Sequence, residues 1–306
     1  MLLYPLPRRT RIALTGKDRQ TLLHGFCTNE IKKLIPGQGC EAFITNIKAR
    51  VLGHVFVAAT EETLYLDTVP DQATTLMTHL DRYIITEDVQ LADLSEQVSC
   101  YFATSASFEP QTQGHGVGAA PQLAPYAHAQ MEIAGTPVFI QRLDWFQKPG
   151  YLMVVPVDAA SNVVGALESQ GLTLSTADQF DQDRIAAGFP LFGKDISDAN
   201  LPQEVDRTEL AISFKKGCYL GQEPIARLDA LGHVNKILRR VVISGAGTES
   251  PVTLVDPQSQ KEAGTLTSVA VPDGTGTSVG LGYLKTAFAN PGTELVSSTG
   301  ATAVVQ

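Results

Sequence analysis

Apolar positions along the chain switch between a short and a long period, and the switches mark its elements. "RIAL" at 11–14 predicts a strand. "GKDRQTLLHGFCTNEIKKL" follows with helical spacing that puts Leu22, Leu23 and Phe26 on one face. From 41 to 69 the pattern alternates like consecutive strands, interrupted by the polar "NIKAR" and "TEE". Asp71 stands where it can cap a helix over "DQATTLMTHLDRYII". "VQLADL" and "VSCYFAT" then read as strands.

The character changes at 103–128, where Gly, Pro, Ala and Gln dominate; this stretch predicts a long surface connection with solvated His115 and His128. Beyond it, "TPVFIQRLDW" and "GYLMVVPV" predict strands. "DAASNVVGALESQG" predicts a capped helix ending at Gly171, and "TADQFDQDRIAAGFP" one stopped by Gly188 and Pro190. The polar run 191–210 has little periodicity, and loops of that length inside a domain are often functional. From 237 onward short strand-like runs alternate with Gly, Pro, Ser and Asp, the pattern of a small antiparallel barrel or sandwich. The expected architecture is α+β. An α+β portion of two interleaved subdomains spans 1–236, and a C-terminal β domain, expected to be a small antiparallel β-barrel, spans 237–306.

Composition narrows the classes. At 306 residues the chain can hold two or three packed units, and 43% hydrophobic with 18% charged content is that of a globular protein. A net charge of −9 argues against direct nucleic-acid binding by the whole chain. No run approaches the roughly 20 apolar residues of a membrane span, and the start of the chain has no signal-peptide pattern. A cytoplasmic, monomeric protein is expected. Cys27, Cys40, Cys100 and Cys218 lie far apart without C-x-x-C pairing, which predicts reduced thiols rather than disulfides or a zinc site. No metal motif or Gly-rich phosphate loop is present.

The exception among the thiols is Cys218, in "FKKGCYLGQE". "AISF" before it is strand-like, and "QEPIARLDAL" after it predicts a helix with Pro224 in its first turn and Gln222 and Glu223 as capping residues. A thiol ahead of a helix N-terminus and beside Lys215 and Lys216 is a candidate for a lowered pKa and raised reactivity. The alternative is that Cys218 merely fits the turn. Arg227, His233, Lys236, Arg239 and Arg240 form a basic run, either a solvated face or a site for an anionic group. His79 is expected on the surface and His24 on a half-buried helix face.

Lys216, Gly217, Cys218, Tyr219, Gly221, Gln222 and Glu223 fill every fixed position of K-G-C-Y-x-G-Q-E. This pattern resembles the YgfZ family of folate-binding proteins, relatives of the glycine-cleavage T-protein (aminomethyltransferase). The resemblance extends over nearly the whole chain: "LLHGFCTNEI", "LDRYIITEDVQLADLS", "DRIAAGFPLFGKDI" and "LPQE" resemble T-protein segments in the same order. It implies tetrahydrofolate or a derivative as cofactor, with Glu204 contacting the pterin. Arg142 falls where T-proteins have an arginine in their folate domain, although the Gly-Tyr-Thr-Gly run that follows there is missing. In "TNIKARVLGHVFV" the T-protein's Asp pair is replaced by Gly53 and His54. Losing a carboxylate needed for aminomethyl transfer, while gaining a thiol, implies a changed role.

The function this implies is a folate-dependent accessory role in assembly or repair of iron–sulfur enzymes, one client being a tRNA thiomethylase. Cys218 would be the reactive thiol and Lys216 its electrostatic support. Glu204, Arg227, Tyr219, Glu223, His54 and Arg142 would form the folate-binding set. One thiol cannot supply the four ligands a cluster usually takes, so a cluster contact would be shared with the client. The alternative is a tetrahydrofolate-dependent aminomethyl or other one-carbon transferase, with Glu204, Asp195 or Asp206 supplying the carboxylate. An RNA-binding module on the 227–240 basic run ranks last.

Overall fold

A computed structural model describes residues 2–104, 123–245, 250–298 and 300–306. Most of the expected 103–128 connection, including His115, lies outside these residues. The chain divides into two compact units, one of Met1–Ile44, Gly53–Phe180 and Lys215–Tyr219, the other of Thr45–Leu52, Asp181–Phe214 and Leu220–Gln306. Among the described residues no helix is long and apolar enough to cross a membrane.

The first unit is built on two sheets. One orders β3 (Gly39–Thr45), β4 (Val51–Ala59), β5 (Leu64–Thr68), β2 (Thr10–Thr15) and β6 (Gln90–Asp93). Eight of the nine β4 residues are buried, so β4 reads as a continuous apolar run rather than an alternation. Helix α1 (Arg19–Phe26) precedes this sheet's second strand in the chain, and α2 (Ala73–Asp81) packs on β2 and β6. The other sheet orders β11 (Thr173–Leu174), β1 (Leu2–Pro5), β7 (Val98–Thr104), β10 (Gly150–Pro156), β9 (Thr136–Arg142) and β8 (His128–Ile133). Its core joins Leu3, Ile140, Met153 and Val155 to Val163 and Leu167 of α3 (Ala160–Ser169).

The second unit holds the closed barrel. β12 (Lys236–Ser244), β15 (Thr277–Lys285), β14 (Glu262–Val269), β13 (Val252–Val255), β16 (Glu294–Ser297) and β17 (Thr302–Val305) pair in that order, and β17 returns to β12. Closure leaves no unpaired edge. Val241, Ile243, Leu254, Leu266 and Leu284 fill the interior. The helical α4 (Ala177–Ala187), the single turn α5 (Thr208–Ala211) and α6 (Gln222–Leu231) complete the chain.

Inside the second unit one buried ion pair fixes the 189–196 loop. Arg184 is fully buried and bonds Asp195 at 2.6 Å, the Phe189 carbonyl at 3.2 Å and Ser268 Oγ at 2.9 Å. Asp195 in turn accepts from Thr267 and Ser268 of β14, both at 2.6 Å.

Several expectations change for local reasons. The helix expected to run through residue 34 stops at Phe26. Cys27 is extended there (φ −127, ψ 163) and bridges Ile44, and the Thr28 N–H bonds the Phe43 carbonyl. Asp71 does not cap α2, because it takes a left-handed φ of 62° and Gln72 fills the cap position without a side-chain bond. "AISF" is not a strand, since Ala211 closes a helical turn with its N–H on the Arg207 carbonyl. His128 is buried at the start of β8, its Nε2 bonded to the Ala59 carbonyl at 2.8 Å and its ring stacked on Phe139. His79 is buried too, edge-on to Phe26.

Candidate functional site

In the first unit the motif begins with an inward lysine. Lys216 is 6% exposed, and its Nζ donates to the carbonyls of His24 and Cys27, both at 2.6 Å. These carbonyls belong to the last turn and C-cap of α1, which have no intrahelical donor, and the negative end of the helix dipole favours a cation there. The Tyr219 ring lies 4.6 Å below the ammonium. Burial pushes the Lys216 pKa down, and it pushes the Tyr219 phenol up, so Tyr219 stays neutral. Lys216 is therefore the cap of α1, and its charge is committed to the core rather than offered to the thiol as expected.

Cys218 faces solvent, whereas Cys27, Cys40 and Cys100 are buried. Burial raises the pKa of all three inner thiols, to about 12 for Cys100. His24, beside Gly217, is buried with its pKa lowered by burial and then by Lys216; its Nδ1 lies 3.1 Å from Glu30 Oε1 and 3.4 Å from the Ile31 nitrogen.

In the second unit the motif continues at Leu220, whose carbonyl accepts from Thr45 Oγ1 at 2.9 Å. Gly221 has φ +83, and a Cβ there would lie 2.5 Å from the Asn46 carbonyl, so only glycine fits. Asn46 Oδ1 holds the N–H groups of Lys48 and Arg50, closing the "TNIKAR" turn. That turn is tied to the next loop, since the Val51 N–H bonds the Asn200 carbonyl at 3.1 Å and Arg50 reaches Ala199 at 2.7 Å.

Glu204 stands in that next loop, 6% exposed, within a 3-10 turn over Pro202–Val205. One oxygen, Oε2, accepts the Leu201 N–H at 3.1 Å and Asn200 Nδ2 at 3.4 Å, with Lys236 Nζ at 3.8 Å. Among the described residues nothing donates to Oε1. Lys236 lies 4.9 Å from the Tyr283 ring, whose hydroxyl is buried without a hydrogen-bond partner among the described residues. Gln203 anchors the turn by donating to the Ile225 carbonyl of α6 at 2.6 Å.

The remaining expected residues fall elsewhere. His54 is 4% exposed, its Nε2 is 2.7 Å from Glu41 Oε1, and its ring stacks on Phe43 at 5.0 Å. That nitrogen is committed inside the core, which removes the basis for a folate contact there. Arg142 spends its fork on Asp144 at 3.0 and 3.1 Å and donates to the Leu123 carbonyl, so it fixes a turn rather than awaiting a ligand. Glu223 and Arg227 are exposed on α6. Asp195 is consumed by Arg184 and β14, and Asp206 by Arg239 at 2.6 Å. The basic run is dispersed as well: Lys236 turns to Glu204 and Arg240 to the Ala186 carbonyl. Sequence reasoning missed Glu41, a fully buried carboxylate serving both His54 and, at 2.9 Å, the Tyr126 hydroxyl. Its place in the apolar run "CEAFIT" was the available signal, because a buried carboxylate needs partners. Among the described residues no cluster of three or more His, Cys, Asp or Glu could hold a metal ion.

These sheets and this barrel reproduce the fold of the glycine cleavage system aminomethyltransferase T of Bartonella henselae. The TM-score is 0.83 over 99% of this chain and 84% of that one, at 17% identity. Residues 7–216 match the GCVT N-terminal domain family, and the chain belongs to it. It is 29% identical over 245 residues to the tRNA-modifying protein YgfZ of Klebsiella pneumoniae, covering 78% of this chain and 69% of that protein. A chloroplastic Arabidopsis thaliana protein named as a transferase is 26% identical over 92% of this chain, which spans 65% of that protein's length. The mitochondrial aminomethyltransferase of Dictyostelium discoideum is 22% identical over 96% of the chain.

Proposed function

We propose that this protein binds a reduced folate through Glu204 and serves as an accessory factor for iron–sulfur enzymes, among them one that modifies tRNA, with Cys218 as its working thiol. The observation that carries the folate half is the Glu204 carboxylate. It is buried and fixed through Oε2, with Oε1 unengaged among the described residues. A pterin edge presents N–H donors, and a pre-oriented carboxylate is the matching acceptor. A bound tetrahydrofolate would supply one-carbon chemistry; the chain's part is to hold and orient the ring. Membership of the GCVT N-terminal domain family and similarity to the protein named as tRNA-modifying support this reading.

The thiol half rests on exposure. Cys218 is the cysteine a macromolecular client can reach. A transferase reading is weaker, because two of its three candidate carboxylates, Asp195 and Asp206, are already held in ion pairs and the third is the one assigned to the pterin. The test is complementation of a deletion strain, reading the activity of iron–sulfur enzymes. Cys218→Ala is expected to fail while retaining folate binding, and full rescue by Cys218→Ala would remove the thiol from the account.

A further inference from the structure

One pocket of the first unit is lined by a charge that no described residue pairs with. Arg9 is 5% exposed, and its guanidinium lies over the Trp145 ring at 5.0 Å. Its Nε is buried without a hydrogen-bond partner, and no acceptor among the described residues takes a proton from the rest of the guanidinium. Arg11, two residues on, is ion-paired by contrast. Its Nη1 bonds Asp67 at 2.7 Å, and its guanidinium sits 4.1 Å from the Tyr65 ring and 4.5 Å from the Phe139 ring. Two buried arginines thus share one buried carboxylate. The Cys100 thiol cannot balance the surplus, because burial pushes its pKa to about 12. A buried charge without a hydrogen-bonded partner is destabilising, so a further counter-charge beyond the described residues is favoured.

Arg9 lines a pocket of about 190 Å³ together with Ala73 and Thr74. These are the first residues of α2, a nine-residue helix whose N-terminus has no side-chain cap. First-turn amides have no intrahelical acceptor, and the positive end of the helix dipole adds to their attraction for an anion. The Gln72 N–H is taken by Thr10 Oγ1 at 2.9 Å, which leaves the amides beyond it for a ligand. The lining therefore combines first-turn amides of α2 with a buried arginine, the elements of an oxyanion cradle.

The same lining also carries carboxylates. Glu96 is spent on Arg8. Asp93 Oδ1 accepts the Ser95 N–H at 2.9 Å and the Ser95 hydroxyl. Asp71 is exposed, and no described residue pairs with its carboxylate. The lining arginines, Arg8 and Arg9, face three lining carboxylates, Asp71, Asp93 and Glu96, so a dianion such as phosphate meets net repulsion, while a molecule carrying both charges meets a partner for each. The volume lies below the roughly 300 Å³ at which drug-sized clefts begin, which restricts the ligand to a small one.

We propose that this pocket binds a small zwitterion of the α-amino-acid type, its carboxylate on Arg9 and the first-turn amides of α2 and its ammonium on Asp71. The site is independent of the folate reading. The test titrates the full-length, ¹⁵N-labelled chain with L-alanine, acetate, methylammonium and phosphate, following the Ala73 and Thr74 amide signals. Alanine is expected to shift both saturably, and acetate to bind about tenfold more weakly for want of the Asp71 contact. Phosphate and methylammonium are expected not to saturate. Asp71→Asn, a surface change, should bring alanine down to the affinity of acetate. Arg9→Met should abolish binding of both; if that variant does not fold, Arg9→Lys, which lacks the fork, should weaken both by about tenfold. Equal binding of alanine and acetate, tightest binding of phosphate, or unmoved Ala73 and Thr74 signals would each overturn the proposal.

Discussion

At the scale of single residues the four thiols divide by burial. Cys218 is open to solvent, while burial holds the Cys27, Cys40 and Cys100 pKa values above the ordinary thiol range. Thiolate is the reacting species, so a native chain should label with one equivalent of an alkylating reagent at neutral pH. The unfolded chain should label with four, counted by intact mass; rapid labelling of any inner cysteine in the native state would contradict this. The buried histidines carry a pH signature. Burial lowers the pKa of both His24 and His128 below the usual 6.5. As pH falls through 6.5 the unfolded chain takes up protons that the folded chain resists. Stability should therefore drop on acidification from about pH 7 to about pH 5, with the loss ending below the folded-state values. Urea denaturation across that range checks it, and His128→Gln should flatten the slope.

At the scale of elements, the motif joins two local structures through a glycine. Gly221 needs both its left-handed φ and the absence of a Cβ 2.5 Å from the Asn46 carbonyl. Gly221→Ala should cost about 1–3 kcal/mol in chemical denaturation, while Gly232→Ala, in left-handed backbone but open space, should cost less. Much at this scale was legible. The "TNIKAR" interruption, the helix at 222–231 and the short strands after 237 each carry local signals in turn residues and period. What was illegible depended on partners distant in sequence. The end of α1 at Phe26 comes from the pairing of Cys27 with Ile44, and the direction of Lys216 comes from two carbonyls 189 and 192 residues away. The same holds for His54, whose partner Glu41 lies on the neighbouring strand β3. No spacing rule announces a cross-strand pair of that kind.

At the scale of the molecule, the chain keeps the frame of its family. Arg184 and Asp195 hold the "Gly-x-Asp" loop to the barrel with neither group left for a ligand. Where the sequence resemblance places the T-protein's Asp pair stand Gly53 and a histidine locked to Glu41. Of the carboxylates named from the sequence, Glu204 alone combines burial with an oxygen unengaged among the described residues. The strand pattern alone left a barrel or a sandwich open, and the family resemblance implied the small antiparallel β-barrel that is found. Its closure depends on β17 returning to β12, a pairing that local alternation cannot encode.

The most direct measurement is a calorimetric titration of the purified protein with tetrahydrofolate under anaerobic conditions, repeated with Glu204→Gln. Removing a charged acceptor from a buried hydrogen bond costs about 1.5–3 kcal/mol, so saturable binding by the wild type should weaken roughly ten- to hundredfold in the variant. The variant should keep its fold by circular dichroism. Absence of binding by the wild type at millimolar ligand, or equal binding by the two proteins, would contradict the assignment of Glu204 as the folate anchor.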